Sequence, residues 1–231
     1  ESGREIFGNS KLQRGLIENY DLRWDFWPSP TEMLSFGLFY KEFESPIEKV
    51  VRSATEGTFT FSNALSAENY GFEVEAVFYL DRLGERWESL DRLRNFNFSA
   101  NYAWIESSIQ LSPEAQQLQT TTDRPLQGQS PYVLNVQLGY DSEDGSLNWA
   151  LLYNVFGERI SDVGVLGAPD IYEQPVDQLD FVWSKRLEKA GTFKLGLKNL
   201  LDAEVEETQG DRIRRSYRRG RELGLSWEYR F

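Results

Sequence analysis

The chain has 231 residues and carries 37 acidic against 25 basic side chains, a formal charge of -12, so nucleic acid, whose phosphates it would repel, is not an expected partner. Cysteine and histidine are both absent, which removes disulfides, thiolate and imidazole metal sites, cysteine nucleophiles and Ser-His-Asp triads. Mean hydropathy is -0.54 and no apolar run nears the ~18 residues that a membrane helix needs, yet seven Trp, eleven Tyr and fifteen Phe fall mostly into alternating patterns.

Taken in order, those patterns mark about nine strands of period two. The first sets Tyr20, Leu22, Trp24 and Phe26 against Asp21, Arg23 and Asp25. The second has Leu34, Phe36, Leu38 and Tyr40 on one face. The third alternates Tyr70, Phe72, Val74, Ala76, Phe78 and Leu80 with Gly71, Glu73, Glu75, Val77 and Tyr79. The fourth sets Phe96, Phe98, Ala100, Tyr102 and Trp104 against Asn97, Ser99, Asn101 and Ala103. The fifth sets Tyr132, Leu134, Val136, Leu138 and Tyr140 against Asn135, Gln137 and Gly139. In the sixth, Leu147, Trp149, Leu151, Tyr153 and Val155 oppose Asn148, Ala150 and Asn154. The seventh sets Leu179, Phe181 and Trp183 against Gln178, Asp180 and Ser184; the eighth, Phe193, Leu195 and Leu197 against Lys194, Gly196 and Lys198. The last carries Leu223, Leu225, Trp227, Tyr229 and Phe231 opposite Glu222, Gly224, Ser226, Glu228 and Arg230.

One face per strand is apolar with aromatics near its ends, and the other is polar or glycine. A membrane barrel needs this pattern: lipid outside, water or a plug inside. A soluble β-sandwich also alternates, but it has no reason to sort its connections by length. Here they alternate. Short ones cover residues 28–33, 142–145 and 188–191; long ones cover 44–69, 106–131, 161–174 and 202–216. With the C-terminus placed in the periplasm, every short turn falls there and every long loop outside. Residues 81–94 form an intermediate connection with a helical turn expected around Leu83, Trp87 and Leu90. Asp144-Gly145 reads as a hairpin turn. Residues 57–63 either extend the third strand or pair with 47–52 in a small hairpin. Glu1 opens in what reads as mid-loop sequence, so the chain is expected to be a piece of a longer protein.

Five stretches then resemble the C-terminal barrel of TonB-dependent receptors. They are Phe7-Gly8-Asn9 with Leu12 and Glu18-Asn19-Tyr20-Asp21-Leu22; Asn69-Tyr70-Gly71-Phe72-Glu73-Val74-Glu75; Gly128-Gln129-Ser130-Pro131-Tyr132 followed by Asn135; Lys198-Asn199-Leu200-Leu201-Asp202; and Trp227-Glu228-Tyr229-Arg230-Phe231. The resemblance implies an all-β, antiparallel up-and-down transmembrane barrel of ~22 strands with a plugged lumen. This chain would be its C-terminal portion, with plug, TonB box and N-terminal strands missing. It further implies a Gram-negative outer-membrane location and TonB-energised import of a scarce nutrient, commonly a ferric siderophore. The implied partners are the TonB complex through the missing part, the barrel-insertion machinery, lipid, lipopolysaccharide and a small-molecule substrate. No cofactor and no enzyme activity are implied. A passive porin or structural barrel is the alternative, and a soluble β-rich binding module a weaker one.

Three groups of residues are candidates for specific roles. Leu223, Leu225, Trp227, Tyr229 and Phe231 form the ladder that the resemblance identifies as the barrel-assembly signal; they also serve simply as lipid-facing residues. Glu73, Glu75, Asn97, Asn101, Asn135, Gln137, Asn148 and Asn154 are expected to face the lumen, as hydrated wall or as contacts to plug and substrate. Glu73 and Glu75 as a glycosidase pair is the remote alternative. Arg212, Arg214, Arg215, Arg218 and Arg219 are candidate outer contacts to an anionic ligand or lipopolysaccharide phosphate. The bland reading has them balancing Asp202, Glu204, Glu206, Glu207 and Asp211. That acidic loop fits no EF-hand spacing for Ca²⁺.

Overall fold

The computed structural model describes residues 5–53, 58–81, 93–188 and 190–229. Among them are fifteen strands and one short helix. Nine strands form one antiparallel sheet: β1 (Leu16–Ser29), β2 (Glu32–Glu44), β5 (Ser66–Tyr79), β6 (Phe96–Gln110), β7 (Tyr132–Asp141), β8 (Leu147–Phe156), β11 (Gln178–Leu187), β12 (Gly191–Lys198) and β15 (Glu222–Glu228). They lie side by side in chain order, each hydrogen-bonded to the next. These are the nine strands expected from the alternation.

The remaining strands sit in the long connections at one end. β3 (Ile47–Ser53) and β4 (Thr58–Asn63) make a hairpin in which Ile47 opposes Asn63. Of the two readings of residues 57–63, the hairpin is therefore the one realised. β9 (Arg159–Asp162), β10 (Ile171–Glu173), β13 (Glu204–Gln209) and β14 (Arg212–Arg218) form a second sheet in the order β14-β13-β10-β9. α1 (Pro113–Leu118) starts at Ser112, whose Oγ accepts from the Ala115 N–H at 3.3 Å, with Pro113 in the first turn where no N–H is needed. These four strands and α1 were not legible, because their segments show no sustained period. The helical turn expected around Leu83, Trp87 and Leu90 lies outside the described residues.

The sheet sorts its connections as expected. At one end stand the turns β1–β2, β7–β8 and β11–β12; at the other stand the connections carrying β3–β4, α1, β9–β10 and β13–β14. β5 and β6 have 14 and 15 residues, more than the ~9–11 that cross a bilayer. Their surplus length reaches into the layer of long connections. The buried apolar cluster lies there and not beneath the sheet: Ala64, Ala67, Ile109 and Leu111, packed by Phe43, Ala115 and Leu126. β1 and β15 are the two free edges of the nine-stranded sheet among the described residues.

Candidate functional site

Antiparallel register turns alternation along a strand into rows across the sheet. One row reads Leu22, Leu38, Phe72, Trp104, Tyr132; another reads Phe78, Phe98, Leu138, Leu151, Phe181, Leu197, Leu223. All of these lie on one face. Their rings gather into two belts. Toward the long connections, Tyr70 meets Trp104 at 6.3 Å between centroids, Phe72 meets Trp104 at 5.8 Å, and Tyr102 meets Tyr132 at 6.5 Å. Toward the short turns, Phe96 meets Tyr140 at 5.2 Å, Trp149 meets Phe181 at 6.2 Å, and Phe193 meets Trp227 at 6.2 Å. Between the belts the rows are mainly aliphatic or small, as in Leu34, Ala76, Ala100, Val136 and Leu179, with Tyr153 beside Val136.

No other element covers this face among the described residues: each extensive contact between elements is that of a hydrogen-bonded strand pair. Leu22, Leu223 and Leu225 are 69, 67 and 77% exposed. A soluble fold does not leave so continuous an apolar surface to water. Two aromatic belts flanking a mainly aliphatic band are the surface of a wall that crosses a membrane.

The opposite face is polar. One row runs through seven strands: Asp25, Ser35, Glu75, Asn101, Asn135, Asn154, Gln178. Asn154 Nδ2 donates to Asn135 Oδ1 at 2.7 Å, and Asn135 Nδ2 donates to Asn101 Oδ1 at 2.7 Å. Arg23 closes the other end, donating from Nη2 to Glu75 at 3.1 Å and from Nε to Asp25 at 2.9 Å. Gln178 Nε2 donates to Asp180 at 3.0 Å. A concavity of about 410 Å³ lies over this ladder, and a second of about 540 Å³ lies over Arg23, Lys41, Asn69, Glu73 and Glu75.

All eight residues expected on the lumen side stand on this face. Glu75, Asn101, Asn135 and Asn154 share the row. Glu73 lies opposite Gly37 and Ala103, Gln137 opposite Ser99 and Leu152, and Asn148 opposite Asp141 and Ser184. Asn97 lies over Gly139 and donates to Asp141 at 2.9 Å; a Cβ on Gly139 would be 2.3 Å from its Oδ1. Sequence reasoning did not single out Arg23, Asp25, Gln178 and Asp180. Their signal was present, because each alternates with an apolar neighbour; the register that joins them was not.

The arginine segment is a hairpin strand. Arg212, Arg214, Arg215 and Arg218 lie on β14 and Arg219 follows it, all exposed. Arg218 faces Glu204 at 3.6 Å and Asp202 at 3.9 Å, and Arg215 faces Glu207 at 3.9 Å. Such exposed pairs contribute at most about 1 kcal/mol each. Among the described residues no three carboxylates gather as a metal site. On β15, Leu223, Leu225 and Trp227 stand on the apolar face opposite Leu197, Leu195 and Phe193, and the Tyr229 ring lies tilted beside Trp227, 5.9 Å between centroids. Phe231 lies outside the described residues.

An aromatic-belted face, a polar face and connections sorted by length define the wall of an antiparallel transmembrane β-barrel. More narrowly, the chain belongs to the TonB dependent receptor-like, beta-barrel family, whose model matches residues 3–200. Among solved structures, a mutant ferric enterobactin receptor from Pseudomonas aeruginosa is similar, with 15% identity over 86% of this chain and 27% of that one, TM-score 0.55. The copper transporter OprC has the same identity and coverage and a TM-score of 0.61. The FrpB iron transporter from Neisseria meningitidis has 9% identity over 95% of this chain and 32% of that one, TM-score 0.61. At these identities the likeness is one of fold, and the chain spans about a quarter to a third of those proteins' lengths. No curated protein sequence matches it.

Proposed function

We propose that this chain is the C-terminal wall of an outer-membrane receptor that imports a scarce nutrient with energy delivered by TonB. The observation that carries the reading is the two-faced sheet, apolar and belted on one side, polar and concave on the other. β1 and β15 both run from the long-connection end to the short-turn end. Antiparallel closure therefore needs an odd number of further strands between them. A plug domain and the strands before β1 belong to the remainder of the protein. On this reading the polar row from Asp25 to Gln178 lines the lumen and faces the plug. The four long connections are extracellular. Leu223, Leu225, Trp227, Tyr229 and Phe231 carry the assembly signal, and Arg212, Arg214 and Arg219 are free to meet an anionic ligand. The similar structures include a ferric enterobactin receptor, an iron transporter and a copper transporter, so a chelated metal is the substrate class to test first.

Sidedness is measurable by single-cysteine labelling, since these 231 residues contain no cysteine and any elsewhere in the full-length protein can be replaced by serine. Leu166→Cys, in a long connection, is expected to react with a membrane-impermeant maleimide on intact cells. Glu143→Cys, in a short turn, is expected to react only after the outer membrane is permeabilised. Uptake of ferric siderophore by cells expressing the full-length protein should stop when TonB is removed. The opposite labelling pattern, or uptake that persists without TonB, would refute the receptor reading, the latter in favour of a passive pore.

A further inference from the structure

Among the described residues, Arg124 is a charged side chain with almost no contact with water, its side chain 1% exposed. It sits in the second long connection (111–131) and pairs with Glu48 in the first (45–65). Nη2 donates to Glu48 Oε2 at 2.7 Å and Nη1 to Oε1 at 3.2 Å, the two-pronged geometry that suits a carboxylate. Its remaining donors reach Gln119 Oε1, from Nε at 3.3 Å and Nη2 at 3.0 Å, and the Pro125 carbonyl at 3.1 Å. All five guanidinium N–H groups therefore have an acceptor. Glu48 Oε1 also accepts the Gln127 N–H at 3.2 Å.

From Gln127 the network continues into the third connection (157–177). Gln127 Nε2 donates to the Ser161 carbonyl at 2.7 Å, the Gly128 N–H to Ile160 O at 2.8 Å, and the Thr120 N–H to Gly164 O at 2.9 Å. In return, Leu166 N–H donates to Leu118 O at 2.9 Å. Lys49 in the first connection forms an ion pair with buried Asp162 in the third. The fourth (199–221) joins through pairing of β10 with β13 and through Gln174 N–H to Glu206 O at 2.9 Å. Four segments far apart in the chain thus share one hydrogen-bonded layer, and Arg124 with Glu48 is its buried centre.

We propose that the long connections form a single preformed rim and do not move as independent lids, with Arg124 and Glu48 as the positioning residues that couple the first three. The purpose of that rim, presenting one fixed surface to an arriving substrate, rests on the receptor reading; the coupling itself does not. Removing either partner leaves a buried charge or carboxylate uncompensated, so the disturbance must spread to every segment the pair holds.

The test is hydrogen exchange on the full-length protein in nanodiscs. Arg124→Ala is expected to speed exchange at least about tenfold in 45–65, 111–131 and 157–177 together, with β5 to β8 unchanged. The milder Glu48→Gln, in a different segment, is expected to reproduce the same three-segment pattern. If each variant loosens only its own segment, the proposal is overturned. It is equally overturned if β5 to β8 lose protection with the rim, because the pair would then stabilise the whole wall. Either result can be read whichever way the cysteine labelling falls, so the two proposals fail separately.

Discussion

Adjacent residues Val136 and Gln137 on β7 provide the sharpest test of the two-faced wall. Val136 shares an apolar row with Ala100 and Tyr153, while Gln137 points the other way in a row with Ser99 and Leu152. Val136 is four residues from Tyr132 in one belt and four from Tyr140 in the other. At ~3.4 Å per residue and a strand tilt of ~40°, each belt is about 10 Å away in height. Val136 is therefore at the middle of the apolar band. An arginine there is expected to cost about 2–4 kcal/mol, the penalty for a cation on the lipid face at mid-bilayer. That lowers the folded-to-unfolded ratio about 30- to 700-fold. Gln137→Arg places the same group one residue away on the wet face and is expected to change stability by no more than about 0.5 kcal/mol. The assay is reversible guanidinium unfolding of the full-length protein in phospholipid vesicles, followed by tryptophan fluorescence. Equal costs for the two arginines would refute the assignment of faces, and a larger cost at Gln137 would invert it.

Three further outcomes are expected from the same measurement. Asn135→Ala removes both bonds of the asparagine ladder; in a hydrated setting the loss should be about 1 kcal/mol in total, and an unchanged midpoint would mean that water replaces the ladder without cost. Gly71→Ala puts a Cβ 2.0 Å from the Trp104 carbonyl oxygen and 2.7 Å from Phe39 Cζ; a backbone oxygen cannot step aside freely, so destabilisation of about 1–3 kcal/mol is expected. In the β7–β8 turn, hydrogen bonds from the Ser142 and Ser146 hydroxyls and the Ser146 N–H hold the Asp144 carboxyl well below the usual carboxylate range. Its contribution is present above about pH 4, where the unfolded carboxyl is ionised, and is lost as pH falls from there toward its folded value. The stability gap between the wild type and Asp144→Asn should accordingly be wider at pH 7 than at pH 2.5, and a gap that widens in acid would contradict it.

The wall was legible because a strand between lipid and water must alternate. Tyr132, Leu134, Val136, Leu138 and Tyr140 against Asn135, Gln137 and Gly139 show that period, and the sorting of connections by length separates a barrel wall from a sandwich that alternates as well. The same property assigned the eight lumen-side candidates to one face before any coordinates. The rim was not legible for the complementary reason. Its hairpins and helix are ordered by contacts between loops, which leave no period along the chain. Glu48 and Arg124 are 76 positions apart, and each by itself reads as an ordinary surface charge.

Alternation along single strands, together with connection lengths, by itself determined the nine strands of the wall, their two faces and the sorting of the ends. It did so because side chains on a strand project alternately whatever their neighbours are. Tertiary structure alone decided the register. Only pairing across strands sets Asn101, Asn135 and Asn154 side by side, brings Arg23 to Glu75, and buries Arg124 against Glu48. Those contacts depend on the offset between segments distant in sequence, and a period within one segment carries no information about that offset.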